Sequence, residues 1–282
     1  MVIESIVNPL SAEHKPFRMV MYGILYSTVA IVLSLWIFRD SASLVMVFLT
    51  TLACVPLVYN TMKLEEQKDE TISKERVLLR EHIKALSFLM WLFAGVVISC
   101  AIWYVILPSG SVTNLFSIQT RTIAAINSNV VGHAFHMDQF FRIFFNNLKV
   151  LIFCILFAFV YGVGAIFILV WNASVIGTAI GNFIRTELSK VAASSGLSNA
   201  ASYFQIFSVG FLKYALHGIP EILAYFTAGL AAGIISIAMI RHRLDPEKFK
   251  RVALDSVDLI LLSVAMLFVA ALLEVYVTPV LF

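Results

Sequence analysis

YFQIFSVGFLKYALHGIPEILAYFTAGLAAGIISIAMI, residues 203–240, decides how this chain is read. The stretch is apolar enough for lipid. At about 20 residues per crossing of a ~30 Å hydrocarbon layer, however, it is too long for one simple span. It is interrupted at Gly218-Ile219-Pro220. Glycine suits a helix C-terminus and proline the first turn of the next helix, so the sequence predicts a tight hairpin broken at Gly218–Pro220. Charge bias points the same way. With Tyr203 cytosolic, a single span would place Arg241, Arg243, Lys248, Lys250 and Arg251 outside, against the positive-inside rule, and a hairpin returns them to the cytosol.

Outward from this stretch, apolar runs cover Met19 to Phe38, Ser43 to Met62, Ala85 to Leu107, Leu148 to Trp171 and Leu259 to Leu281. Each is long enough to cross a bilayer. The whole chain has 282 residues, 60% hydrophobic and only 13% charged, with a mean hydropathy of +0.92. That composition excludes a water-soluble globule, a disordered chain and a disulfide scaffold. The prediction is an all-α, polytopic transmembrane helix bundle, with about six full spans plus the hairpin, or seven crossings. The first run follows Lys15 and Arg18 and reads as an uncleaved anchor.

Lys63 to Lys84 carries six basic and six acidic residues and reads as a solvated helical connector in the cytosol. In this topology 15 of the 20 Lys and Arg residues lie inside, Arg185 and Lys190 among them, with the N-terminus cytosolic and the C-terminus extracytosolic. Residues 1–84 form an N-terminal two-span unit and 85–282 the main transmembrane domain. From Ser109 to Asn147, polar residues mixed with Phe116, Phe135, Phe140, Phe141, Phe144 and Phe145 predict an amphipathic structure on the outer surface, or packing against the bundle. Gly177 with Gly181 and Gly229 with Gly233 have the spacing of close helix packing, within the chain first and in a homo-oligomer second.

Ionisable groups inside spans are costly, which makes them functional candidates. Here they are Lys213, His217, Glu221 and Glu274, with Asn146 and Asn147 opening a span at the same outer depth and Asn172 ending one on the cytosolic side. His217, Glu221 and Glu274 have the chemistry to bind a divalent metal such as zinc and activate water. His133 and His136 are a weaker ligand pair. An internally paired polar knot or an ion path fits the same residues. The chain has no GxxxxGK[ST], HExxH, GxSxG or CxxC motif, so no reaction is named by motif, and its basic residues follow the topology of a membrane protein and not a nucleic-acid surface.

Several of these pieces together resemble the stage II sporulation protein M family of integral membrane proteins. They are Asn146-Asn147 before a span, Asn172 after it, His217 to Glu221 followed by Ala228 to Gly233, and the terminal Glu274 to Pro279. The resemblance covers about Leu86 to Phe282. It implies a multi-span cell-membrane scaffold that organises envelope- or membrane-remodelling partners, such as peptidoglycan hydrolases, at the outer face, with no established chemistry of its own. By motif it carries Asn146, Asn172, His217, Glu221 and Glu274 as functional candidates. The rival readings are a metal-dependent intramembrane hydrolase using His217, Glu221 and Glu274, and a transporter or channel.

Overall fold

The computed structural model describes residues 12–13, 15–72, 74–130, 136–161, 163–195, 200–241 and 246–281. Among them there is no strand. Seven helical segments are long and apolar enough to cross a membrane. The helices are α1 (Met19–Ile37), α2 (Ala42–Thr71), α3 (Glu75–Ile106), α4 (Ser109–Leu115), α5 (Ser117–Val130), α6 (His136–Tyr161), α7 (Ala165–Ser195), α8 (Ala200–Arg241) and α9 (Pro246–Leu272), then a π turn (Leu273–Val277) and α10 (Thr278–Leu281). All seven long helices contribute to one apolar core.

The expected hairpin is absent. Residues 200–241 form one 42-residue helix with Pro220 inside it, about 63 Å long at 1.5 Å per residue. Proline removes one backbone donor, but neighbouring helices in a membrane bundle hold such a helix together, and α8 packs against α6, α7 and α9. A compensating break falls where one span was expected. The run from Leu148 to Trp171 is divided, with α6 ending at Tyr161 and α7 starting at Ala165. A Cβ at Gly164 would lie 2.4 Å from the Phe157 carbonyl oxygen, so the chain turns there only with glycine. One span lost and one gained leave seven crossings.

Close contacts give the direction of each helix. Gly23 and Gly95 meet backbone to backbone, and an added Cβ on either would lie 2.2 Å from a carbonyl oxygen of the other helix. Farther along the same pair, Thr28 Oγ1 lies 3.1 Å from Ser99 Oγ and accepts from Trp103 Nε1 at 3.2 Å, so α1 and α3 are parallel. Gly177 sits against Cys100 and Gly181 against Tyr104, which makes α7 parallel to α3 and places that glycine pair inside the chain. Gly210 faces Phe183 and Ile184, while Gly229 faces Ala165, so α8 runs antiparallel to α7 along its length.

The bundle therefore has a connector face, where residues 63–84 and the start of α9 lie, and a far face with α4 and the chain's last turns. Arg185 and Lys190 belong to the far face, contrary to expectation. Arg185 donates to the carbonyls of Tyr104 and Leu107, both at 3.1 Å, and to Ser109 Oγ at 2.9 Å, closing the end of α3.

Packing decides one open expectation and corrects another. The segment from 136 to 147 is no surface structure, because it forms the first turns of α6. Phe140 is buried with Ala271 and Val275, and Phe140 and Phe144 both meet Phe268 edge-on at 5.1 and 5.8 Å. Phe116 is fully buried against Tyr104, and Gln119 is tied to Ser43 and Ser174 inside the bundle. Phe135 lies outside the described residues.

The charged connector is helical but not simply solvated. It is the continuation of α2 and α3 beyond their apolar parts, and Glu65, Glu66, Asp69 and His82 are buried there. His82 Nδ1 lies 2.7 Å from Glu65 Oε2 and Nε2 lies 3.0 Å from Asp69 Oδ1. The second contact is an ion pair without hydrogen-bond alignment, and both Asp69 oxygens lack a donor among the described residues. Lys68 joins Glu65 at 2.7 Å, Glu13 at 2.9 Å and Glu81 at 3.4 Å. Arg251 of α9 donates to the Ile72 carbonyl at 2.7 Å, fastening the connector turn from another side.

Candidate functional site

A cavity of about 720 Å³ opens between α6, α7, α8 and the π turn. Asn146, Asn147, Asn172, His217, Glu221 and Glu274 all line it. Five of these were expected to share a depth, and helix packing also makes them neighbours. Asn172 joins them because the break before α7 puts it seven residues into that helix, not at a span's end. Asn146 lies about 15 Å from the far-face end of α6, and Asn172 about 10 Å from the connector-face end of α7. Asn146 and Asn172 thus reach into the middle of the bundle, deeper than expected, whereas Glu274 stays toward the far face, since Val275 packs on Phe140 and Tyr276 meets Met137 in the first turn of α6.

Each polar side chain has a local reason for its place. The Tyr225 hydroxyl, on a fully buried ring one turn along α8, donates to Glu221 Oε1 at 2.8 Å. His217 Nδ1 lies 3.4 Å from Thr278 Oγ1, which in turn donates to the Leu273 carbonyl at 3.1 Å. Asn172 Nδ2 donates to the Ile168 carbonyl at 2.8 Å, leaving its amide oxygen for the cavity. Between α8 and α7, Gly218 opens the space, since a Cβ there would meet nothing within 4 Å.

Glu274 enters on the π turn, Leu273–Val277. Pro279, in the following turn, has no N–H to give to the Val275 carbonyl, and a wider turn accommodates that missing bond. The Thr278 hydroxyl bonds to the carbonyl five residues back and closes the turn. Glu274 and Glu221 are close enough to interact electrostatically across the cavity.

Among the described residues no three His, Cys, Asp or Glu side chains are grouped to hold a metal ion. The expected His217, Glu221 and Glu274 ligand set is thus not assembled. His217 pairs with a threonine hydroxyl, not with a carboxylate. His133 lies outside the described residues, and of His136 only its backbone position at the start of α6 is described; the same holds for Lys213 within α8. Cys54, Cys100 and Cys154 are free, buried thiols, and none of them lines the cavity.

Sequence reasoning missed Arg142 and Lys149 as cavity residues. With α6 starting at residue 136, Arg142, Asn146 and Lys149 fall at i, i+4 and i+7, a single helical stripe. That stripe is visible in the sequence once the span is begun at His136 and not at Leu148. Tyr214 and Tyr225 were missed because aromatics at helical spacing ordinarily mean core.

Fold and cavity together define an all-α, multi-pass membrane protein with a polar chamber inside its helix bundle. The family model for Stage II sporulation protein M matches residues 85–279, and the chain belongs to that family. No curated protein and no solved structure matches it.

Proposed function

We propose that the protein binds a small polar solute in the cavity between α6, α7, α8 and the π turn, as a membrane carrier does. One observation carries this: polar side chains from α6, α7, α8 and the π turn converge on a single open space among helices long and apolar enough to cross a membrane. Ionisable groups within such helices face water or a ligand, and substrate sites of carriers lie near the midplane between broken or irregular helices. Pro220 within α8 and the π turn at Glu274 are irregularities of that kind.

Substituted cysteines test it. Asn146→Cys and Asn172→Cys should react with a water-soluble thiol reagent, while the three buried native thiols stay silent. If both stay inert from either side of the membrane, the cavity is sealed and the reading fails.

Orientation belongs to the same proposal. Twelve described Lys and Arg positions (15, 18, 63, 68, 74, 76, 80, 84, 241, 248, 250 and 251) are at the connector face. Arg39, Arg121, Arg185 and Lys190 are at the far face. Positive-inside bias makes the connector face cytosolic. In intact cells, Gly110→Cys should label from outside and Glu247→Cys should not.

A second reading rests on family membership: a scaffold for envelope-remodelling partners, with residues 1–84 added to the family core. The aromatic outer loop no longer supports it, since Phe116 and Phe140 are in the core. The Gly177/Gly181 pair, already used against α3, does not support a homo-oligomer.

A further inference from the structure

The two walls of the cavity carry opposite charge, and this names a ligand class for the binding reading above, on which it rests. Arg142 and Lys149 stand on one stripe of α6, about 10 Å apart along the helix, with Asn146 between them. Glu221 and Glu274 face the same space from α8 and the π turn. Among the described residues no ion pair joins the walls, and neither Arg142 nor Lys149 has a hydrogen-bond partner.

Arg142 and Lys149, exposed at the open side of the chamber, and the half-buried Glu221 and Glu274 thus line one space without touching. A ligand that reaches from the open side to the half-buried carboxylates can satisfy both walls, which do not satisfy each other. An anion would serve only the α6 wall and leave two carboxylates facing each other. A cation would serve only the carboxylates and leave Arg142 and Lys149 bare. We infer that the ligand is a net-neutral zwitterion, its anionic group held between Arg142 and Lys149 and its ammonium between Glu221 and Glu274. A guanidinium suits a phosphate or carboxylate, and paired carboxylates with the nearby Asn172 amide oxygen suit an ammonium.

The same chemistry comes from two sources, a zwitterionic lipid headgroup or a free amphoteric solute. Half-exposed Phe141 and Phe145 flank the charged stripe on α6 and give a lipid's chains an apolar place to rest.

The test uses the full-length protein in nonionic detergent, titrated calorimetrically with glycerophosphoethanolamine, glycerol 3-phosphate and ethanolamine. The zwitterion should bind at least tenfold more tightly than either half. Glu221→Gln with Glu274→Gln should remove that preference and spare glycerol phosphate; Arg142→Gln with Lys149→Gln should remove it and spare ethanolamine. Gly218→Leu fills the chamber without touching a charge and should abolish binding of all three.

In nanodiscs of mixed phosphatidylethanolamine and phosphatidylglycerol, native mass spectrometry separates the sources. Phosphatidylethanolamine retained by the wild type and lost in Gly218→Leu assigns a lipid; tight binding of the soluble zwitterion without that enrichment assigns a free solute. Either half binding as tightly as the zwitterion, or charge variants that leave the preference unchanged, overturns the inference. So does failure of every probe and lipid while cysteines at 146 and 172 still react from water, a result that leaves the carrier reading standing. Inert cysteines overturn both.

Discussion

His82→Gln should be among the most damaging single substitutions at the connector face, although it lies far from the cavity. Its imidazole is 2% exposed and lies between two carboxylates that are fully buried, Glu65 at 2.7 Å and Asp69 at 3.0 Å. Glutamine removes the cation between them. Glu65 would keep Lys68 at 2.7 Å, but Asp69, already without a hydrogen-bond donor, would keep no cation among the described residues. Breaking a buried ion pair by removing one partner costs about 3–5 kcal/mol. Water entering at the end of the bundle would relieve some of this, so the expectation is about 3 kcal/mol, at least a hundredfold in the unfolding equilibrium at 1.4 kcal/mol per decade. The triple variant Glu65→Gln, Asp69→Asn, His82→Gln removes all three charges and should recover to within about 1 kcal/mol of wild type, because a buried ionic set contributes little net stability once its desolvation is counted. The three buried native thiols report unfolding directly, through a dye that fluoresces on reacting with them during a melt or a denaturant titration in detergent. A single variant costing under about 1 kcal/mol, or a triple variant as unstable as the single, would refute the reasoning.

Three other expectations follow from particular contacts. Gly95→Ala places a methyl 2.2 Å from the Val20 carbonyl oxygen, where only backbone can yield, so α1 and α3 should separate and the melt should fall by more than Leu→Ala at a lipid-facing site such as Leu261; equal losses would deny the close crossing. Tyr225→Phe removes the donor to Glu221 and should cost about 1–3 kcal/mol, whereas an unchanged melt would mean that water already serves that carboxyl. A double-mutant cycle should find coupling above about 0.5 kcal/mol between His217 and Thr278, which are 3.4 Å apart, and less between His217 and Glu274, for which no direct bond is seen; the reverse order would contradict the assigned pairing.

The class of fold was legible because lipid imposes a length and a composition on every crossing, and seven apolar segments meet both. Where each crossing begins and ends was less legible. Pro220 reads as a break because proline ends helices in water, but within a bundle the missing bond is borne by packing that no local window shows. Gly164 went unread as a break because its neighbours are as apolar as the helices on either side; what forces glycine there is the Phe157 carbonyl, seven residues away. The positive-inside rule could not expose these two errors, since they cancel in the parity of crossings. Between the two breaks it put Arg185 and Lys190 on the wrong side.

The cavity residues show the same limit more sharply. Asn146, His217, Glu221 and Glu274 stood out because polar groups are conspicuous in apolar runs, and helix direction alone was enough to suggest a common depth. Asn172 was separated from them only by the missed turn, and Arg142 and Lys149 only by a helix start placed too late. A charge next to lipid is read as interfacial when a span is assumed to begin after it, so the assumed boundary concealed the basic wall. Starting α6 at His136 changes the meaning of the site: two carboxylates and a histidine alone suggest a metal, whereas the same carboxylates facing an arginine and a lysine across open space suggest a ligand with two charges of its own. The π turn adds the remaining constraint. By inserting its extra residue just where Glu274 meets the chamber, it sets that carboxylate independently of the α9 face buried against α8, which lets the last helix pack tightly and still present a charge to the solute.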